Sequence, residues 1–396
     1  MKFSGKIEKC ELSPVRKFAP YERAAAERGV KIYHLNIGQP DIPTPKQYFD
    51  AVRSFSEPVL EYAPSDGMPV LTDAIRAYYA RLGAEIDADQ ILVTNGGSEA
   101  LQIAVSCVLD DGDEIIIPEP FYPNYSTFVT LAGGVIRPVT TRPEDGYRYA
   151  FRDRIEAAIN GRTRAMLFTN PGNPTGTVLS ADEIKLLTDI ARERELFIIA
   201  DEVYREYVYG GEKLMTMLQV GGCEENVIVV DSVSKRFSAC GARVGCLISR
   251  NGEFIANAMK WCQGRLCAAT VAQTAAAALY GVEQSYYDGV CAEYRRRRDA
   301  LAEGLRQIPG VVFSEPEGAF YIMASLPVDD AERLQLWMLE SFELDGETMM
   351  FTPGEGFYKT PGMGRNEIRM AYVINETDIR RSMEILKKGI EAYNNR

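Results

Sequence analysis

Between residues 91 and 249 the chain carries seven short apolar runs with few polar interruptions: "ILVT" (91–94), "EIIIP" (114–118), "GVIRPV" (134–139), "AMLFT" (165–169), "LFIIA" (196–200), "VIVV" (227–230) and "VGCLIS" (244–249). Runs of this length without strict alternation predict strands buried on both faces of a largely parallel sheet. Segments with helical spacing separate them. The best defined opens at "SADE" (180–183), where Ser180 and Glu183 have capping-box spacing and Ile184, Leu187, Ile190 and Ala191 then recur along one face. Strand–helix alternation on this scale predicts a doubly wound α/β domain.

From about residue 250 the pattern turns helical, with "AATVAQTAAAALYG" followed by a long charged helix to about residue 307. A shorter α+β segment closes the chain, with "GAFYIMASL" and "EIRMAYV" as strands and "ETDIRRSMEILKKGIEAY" as the last helix. The opening segment has too little apolar periodicity to fold alone and is expected to join the C-terminal part. The expected division is therefore residues 1–45 as the N-terminal piece of a small domain, 46–285 as a large α/β domain, and 286–396 as the rest of the small α+β domain.

Composition narrows the chemistry. The chain has 396 residues, 46% hydrophobic and 25% charged, enough for two domains with a sizeable core. A net charge of −12 argues against nucleic acid or an anionic membrane as the main partner. The basic block Arg295–Arg298 in "EYRRRRDAL" reads as the exposed face of a helix. Eight cysteines form no CxxC pair, and His34 is the only histidine, so zinc sites and histidine-activated nucleophiles are not expected. Scattered thiols suit a reducing cytoplasm. No apolar run reaches the length of a bilayer span, and the first residues have no apolar signal core. The expectation is a cytoplasmic protein without a bound metal.

Four polar clusters fall at predicted strand ends, where an open α/β sheet presents its ligand crevice. In "TNGGSEAL" (94–101), Gly96 and Gly97 let the backbone approach closely and Ser98 adds a hydroxyl at a helix start, which suits an anion; strand–Gly–helix turns are also common as simple connections. "NPGNPTGTVLS" (170–180) has turn chemistry. In "IIADEVYREYVY", Asp201 ends an apolar strand as either a helix cap or a buried partner for a cation, and Tyr204 could aim at the same crevice. The fourth cluster, "DSVSKRFSACGARVG" (231–245), brings Ser232, Ser234, Lys235 and Arg243 together. It is either a solvated loop or an anion site beside a lysine that Arg243 and partial burial turn into a nucleophile toward carbonyls. Phosphate cradle, carboxylate, phenol and lysine in one crevice suit pyridoxal phosphate.

On these motifs the chain resembles the class I aminotransferases, the fold-type I pyridoxal-phosphate enzymes of the aspartate aminotransferase superfamily. The resemblance runs from "LNIGQPD" (35–41) through "YAPSDG", "GGSEAL", "PFYPNY", "NPTG", "ADEVY", "SVSK" and "GARVG" to "EIRMAYV" (367–373), in the family's order. It implies a large domain with a mostly parallel seven-stranded sheet between helices, plus a smaller α+β domain from the two ends of the chain. It implies that Lys235 forms the internal aldimine and moves the substrate α-proton, and that Asp201 pairs with the pyridine nitrogen. Tyr204 and Asn173 would bond the cofactor's phenolic oxygen, and Tyr122 would stack on its ring. Gly97, Ser98, Ser232, Ser234 and Arg243 would hold the phosphate. Tyr62 would reach the phosphate of a neighbouring subunit in a homodimer with shared sites. Arg369, helped by Asn173 and the Gly38 backbone, would grip the substrate α-carboxylate.

The implied activity is transfer of an amino group between an L-α-amino acid and a 2-oxo acid such as 2-oxoglutarate, with aspartate or glutamate the leading donors. Arg16 and Lys17, in "SPVRKF", could read a distal carboxylate or be surface charges. A C–S lyase or a cyclopropane-forming synthase would use the same residues for other ends. A cofactor-binding regulator usually carries a DNA-binding domain ahead of the fold, and fewer than forty residues precede "LNIGQPD" here.

Overall fold

An apolar run must be covered on both faces, and the seven runs meet this demand by lying side by side. The computed structural model describes residues 1–210 and 214–396. After β1 (Lys31–His34), the runs form β2 (Ile91–Thr94), β3 (Glu114–Glu119), β4 (Val135–Thr140), β5 (Thr163–Thr169), β6 (Phe197–Asp201), β7 (Val227–Ser232) and β8 (Gly245–Ile248). They build one seven-stranded sheet in the order β2-β8-β7-β6-β5-β3-β4. Only β8 runs against its neighbours, antiparallel to both β2 and β7. Side chains alternate between two apolar layers: Ile198, Ala200, Val227 and Val229 face one, and Ile199, Ile228 and Val230 the other. Each fully buried Ile or Val stabilises by about 1.5–3 kcal/mol.

Local signals explain the covering helices. Ser180 caps the helix Ala181–Glu193 with both capping-box bonds present, and its apolar face enters the core. Helix Gly97–Val108 covers the other side of the sheet through Leu101, Ala104, Val105 and Val108.

The two ends of the chain meet away from this sheet. Tyr321–Ser325 (β10) pairs antiparallel with Val312–Phe313 (β9) and with Glu367–Ala371 (β13), which in turn pairs with Thr352–Pro353 (β12). The short β1 pairs in parallel with Glu347–Met350 (β11). Helices Gln284–Arg306 and Glu376–Asn394 pack against each other, and a separate apolar cluster including Leu301, Tyr321, Ile368 and Leu386 fills this region. The first turn of helix, Gly5–Glu8, instead lies on the large sheet's side, where Lys6 pairs with Asp111 at 2.6 Å.

The basic block departs from its reading. Arg295 and Arg296 are exposed, but Arg297 is buried and donates to Asp41 at 2.6 Å and to Glu293 at 2.8 Å. Arg298 donates to the Pro316 carbonyl at 2.9 Å. Residues 294, 297 and 301 share one helical face, and that face looks inward, so Arg297 is an internal tie rather than part of a solvated stripe. His34 is exposed at the end of β1, 3.9 Å from Glu22. Among the described residues, no helix is long and apolar enough to cross a membrane.

Candidate active site

All parallel strands of the large sheet, together with β2, end at one edge, and β8 begins there because it runs the other way. Thr94, Gly245 and Ser232 are neighbours across that edge, as are Thr169 and Asp201. A cavity of about 470 Å³ opens above it, with walls contributed by both parts of the chain. This volume suits a small organic ligand.

The anion end is built from backbone. Gly96 precedes the helix at φ +85°, which only glycine adopts easily, and a side chain there would lie 2.4 Å from Arg243 Nη2. Gly245 brings β8 equally close: a Cβ on it would sit 2.8 Å from the Gly97 nitrogen. Gly97 and Ser98, the first residues of the helix, line the cavity, and the first N–H groups of a helix have no partner within it. Ser232 donates to Ser234 Oγ at 2.8 Å, and Arg243 anchors through the Cys240 and Asn95 carbonyls at 3.0 and 3.2 Å. The other reading of this stretch, a solvated loop, is not what forms: Ser232 and Ser234 are buried.

Lys235 extends into the cavity and donates to the Gly38 carbonyl at 2.8 Å. Asp201 is buried at the end of its strand. Its Oδ2 accepts from Tyr125 Oη at 2.7 Å and its Oδ1 from the Val203 amide at 3.4 Å, and no cation is bonded to it among the described residues. Burial raises its pKa to about 6, against the opposing pull of the Tyr125 bond. Tyr204 is buried, and its hydroxyl lies 2.9 Å from that of Tyr321. Burial holds its phenol far above the usual range. Tyr122 borders the cavity, accepts from Asn124 at 2.7 Å and is pushed up to about 12 by burial.

Arg369 arrives from β13. It donates to Asn173 Oδ1 at 3.2 Å and to the Asn36 carbonyl at 2.7 Å, whereas its buried Nε has no partner among the described residues. Burial lowers its pKa, and the guanidinium lies against the Tyr321 and Phe357 rings. Gly38 and Arg16 line the same cavity. Lys17 does not: it is tied to Glu332. Tyr62 also stands apart, 80% exposed beside a surface groove formed with Val59, Met68 and Val70.

Among the groups not singled out from sequence, Tyr125, Tyr321 and Asn36 each bond directly to a predicted site residue. Tyr125 lies in the first turn of the helix Asn124–Ala132, and its ring meets that of Tyr122, just ahead of the helix, edge to face with centroids 5.5 Å apart. Tyr321 is a lone phenol within an apolar strand, a pattern that places a polar tip where a partner must be found.

The donor set tests for a phosphorylated aldehyde on a cationic ring. A buried carboxylate without a cation, an anion cradle of amides, hydroxyls and a guanidinium, a lysine amine, and a buried arginine with one unpartnered N–H all face one cavity. These fit pyridoxal phosphate and an amino-acid carboxylate.

The sequence matches the family model "Aminotransferase class I and II" over residues 30–385. It is 32% identical over 400 residues to the aspartate aminotransferase of Thermotoga maritima, covering 99% of this chain and 100% of that one. It is 31% identical to the aspartate/prephenate aminotransferase of Thermus thermophilus over 90% of each. Among solved structures, the aspartate aminotransferase from Rhizobium meliloti superposes with a TM-score of 0.90 at 25% identity, over 99% of both chains. An alanine aminotransferase from Pyrococcus furiosus superposes at 0.89 with 28% identity, covering 99% of this chain and 100% of that one.

Proposed function

Because the chain belongs to the class I and II aminotransferases, a family of pyridoxal-phosphate enzymes, we propose that it moves the amino group of aspartate or glutamate to a 2-oxo acid such as 2-oxoglutarate, using its own bound cofactor. The observation that carries this reading is the convergence of Lys235 Nζ, the Asp201 carboxylate and the Arg369 guanidinium on one cavity. The names of the relatives support the dicarboxylate donor.

When bound, pyridoxal phosphate supplies an aldehyde that takes up amino groups and a ring that accepts the charge left when an α-proton departs. Gly97, Ser98, Ser232, Ser234 and Arg243 would hold its phosphate, Asp201 its ring nitrogen, Tyr204 and Asn173 its phenolic oxygen, and Tyr122 its ring face. Lys235 Nζ is the group that takes the α-carbon proton and returns it. Arg369 fixes the α-carboxylate of any amino acid with its planar fork, helped by Asn173 and the Gly38 backbone, so the reacting bond is held in place before the proton moves. Arg16, on the N-terminal segment bordering the cavity, reads the distal carboxylate. Tyr62 serves the phosphate of a second copy in a homodimer, which accounts for its exposure in a single chain. The eight unpaired cysteines agree with a reducing cytoplasm.

The test uses purified protein saturated with pyridoxal phosphate. Aspartate or glutamate alone should convert the bound aldehyde to its amine form, and a 2-oxo acid should restore it. Release of pyruvate, ammonia and homocysteine from cystathionine, without that cycle, would make the protein a lyase. No spectral response to any amino acid would mark a regulator.

A further inference from the structure

Tyr321 sits where the two parts of the site meet. Its strand, β10, pairs with β13 so that Tyr321 opposes Ala371 and Met323 opposes Arg369. In an antiparallel pair this puts residues 321 and 369 on the same face as diagonal neighbours. The Arg369 guanidinium accordingly lies 4.6 Å from the centre of the Tyr321 ring. From the large domain, Tyr204 meets the same ring edge to face, with centroids 5.5 Å apart and the hydroxyls 2.9 Å apart. From the N-terminal loop, Gly38 comes so close that a Cβ on it would be 1.8 Å from Tyr321 Oη. One phenol thus touches the residue facing the cofactor oxygen, the residue facing the carboxylate, and the loop whose carbonyl accepts from Lys235.

Each phenol has one hydrogen. In the reading proposed above, on which this inference rests, Tyr204 uses its hydrogen on the phenolic oxygen of the cofactor. The hydrogen between Tyr204 and Tyr321 must then come from Tyr321. A hydroxyl that accepts one bond becomes a better donor in the next, and both groups are out of water. We propose that Tyr321 is a positioning residue that donates to Tyr204 and fixes its hydroxyl toward the cofactor, while its ring face holds Arg369 ready for the α-carboxylate. Asp201 and Tyr122 also face Tyr204, but its hydroxyl is bonded to Tyr321. The pairing makes the small domain, through one residue, part of the electronic setting of a cofactor held by the large one.

The experiment compares holoprotein of wild type, Tyr321→Phe, Tyr204→Phe and the double variant. The visible absorbance of the bound cofactor is followed across the neutral pH range. Weakening the Tyr204 donor leaves more negative charge on the cofactor oxygen, and the neighbouring positive charge is then held more firmly, so the midpoint rises. Tyr321→Phe should raise it by roughly half a unit, the size expected of one neutral hydrogen bond. Tyr204→Phe should move it further in the same direction, and the double variant should coincide with Tyr204→Phe. Phenylalanine keeps the ring on Arg369, so KM for the amino acid should stay within about twofold while kcat falls. A Tyr321→Phe midpoint at the wild-type value, or shifts that add in the double variant, would overturn the role of Tyr321 and leave the enzyme reading intact. Wild-type protein that takes up no cofactor would overturn that reading as well, and the two failures are thereby told apart.

Discussion

Tyr125 is buried and donates its hydroxyl to Asp201 across 2.7 Å, and the Thr169 hydroxyl lies 2.5 Å from the Tyr125 phenol oxygen. A buried carboxylate held this way keeps a fixed direction and part of its charge without a counter-ion. Tyr125→Phe removes that donor and leaves the carboxylate short of a partner. A hydrogen bond to a charged group is worth about 1.5–3 kcal/mol, so cofactor affinity should fall roughly tenfold or more, read from an absorbance titration of cofactor-free protein. An unchanged affinity would show that Asp201 does not depend on the phenol.

The same carboxylate sets a pH dependence in the cofactor-free protein. Burial is the largest cause that raises its folded pKa to about 6, from an ordinary aspartate value of 3.8. The folded state therefore binds the proton more tightly than the unfolded one. Between those two values stability falls as pH rises, by at most about 3 kcal/mol from this group. Asp201→Asn should remove that part of the decline. Thermal midpoints of wild type and variant without cofactor should differ more at neutral pH than at acid pH, with the variant the more stable. A constant difference would contradict the sign.

Arg236 follows Lys235 directly and points the other way, into the protein. It donates to both Asp231 oxygens, at 2.9 and 2.7 Å, and its guanidinium lies 4.2 Å from the centre of the Tyr78 ring, with no solvent exposure for either charge. Asp231→Asn, which leaves the arginine charge without its ion pair, should cost roughly 3–5 kcal/mol. Replacing both charges with apolar residues of similar volume should recover most of it. Urea unfolding of the two variants reads the difference, and equal losses would mean that packing, not charge, governs the site.

Arg16 is exposed and borders the cavity, whereas Lys17 beside it is committed to Glu332. Arg16→Ala should raise KM for aspartate and glutamate by about tenfold, the effect of one charge-assisted contact, and leave KM for alanine nearly unchanged. Steady-state kinetics with the three donors would expose an equal effect on all, which would assign Arg16 to the segment's placement instead.

Much of this molecule was readable from residue order. The seven strand positions follow from unbroken β-branched and aliphatic runs, which lose stability anywhere but between two apolar layers. The Ser180 cap was equally local. The short pairings of the smaller sheets were not: β1, β9, β11 and β12 are two to four residues long, too short to show a period, and β1 finds its partner β11 only near the other end of the chain. Arg297 was misread for the same reason, because a run of four arginines contains no sign that Asp41 waits on one side of the helix.

By itself the order of residues determined the α/β class, the large sheet's strands and the types of group gathered at its edge, since periodicity, glycine and strand-end chemistry act over a few neighbours. Tertiary structure alone decided how those groups are bonded. Asp201 found a phenol in Tyr125, Tyr204 found Tyr321, and Arg369 found Asn36 and Asn173, each pair separated by dozens to hundreds of residues along the chain. Buried polar atoms must be paired wherever the chain brings them, and that destination is a property of the packed domains rather than of any local segment.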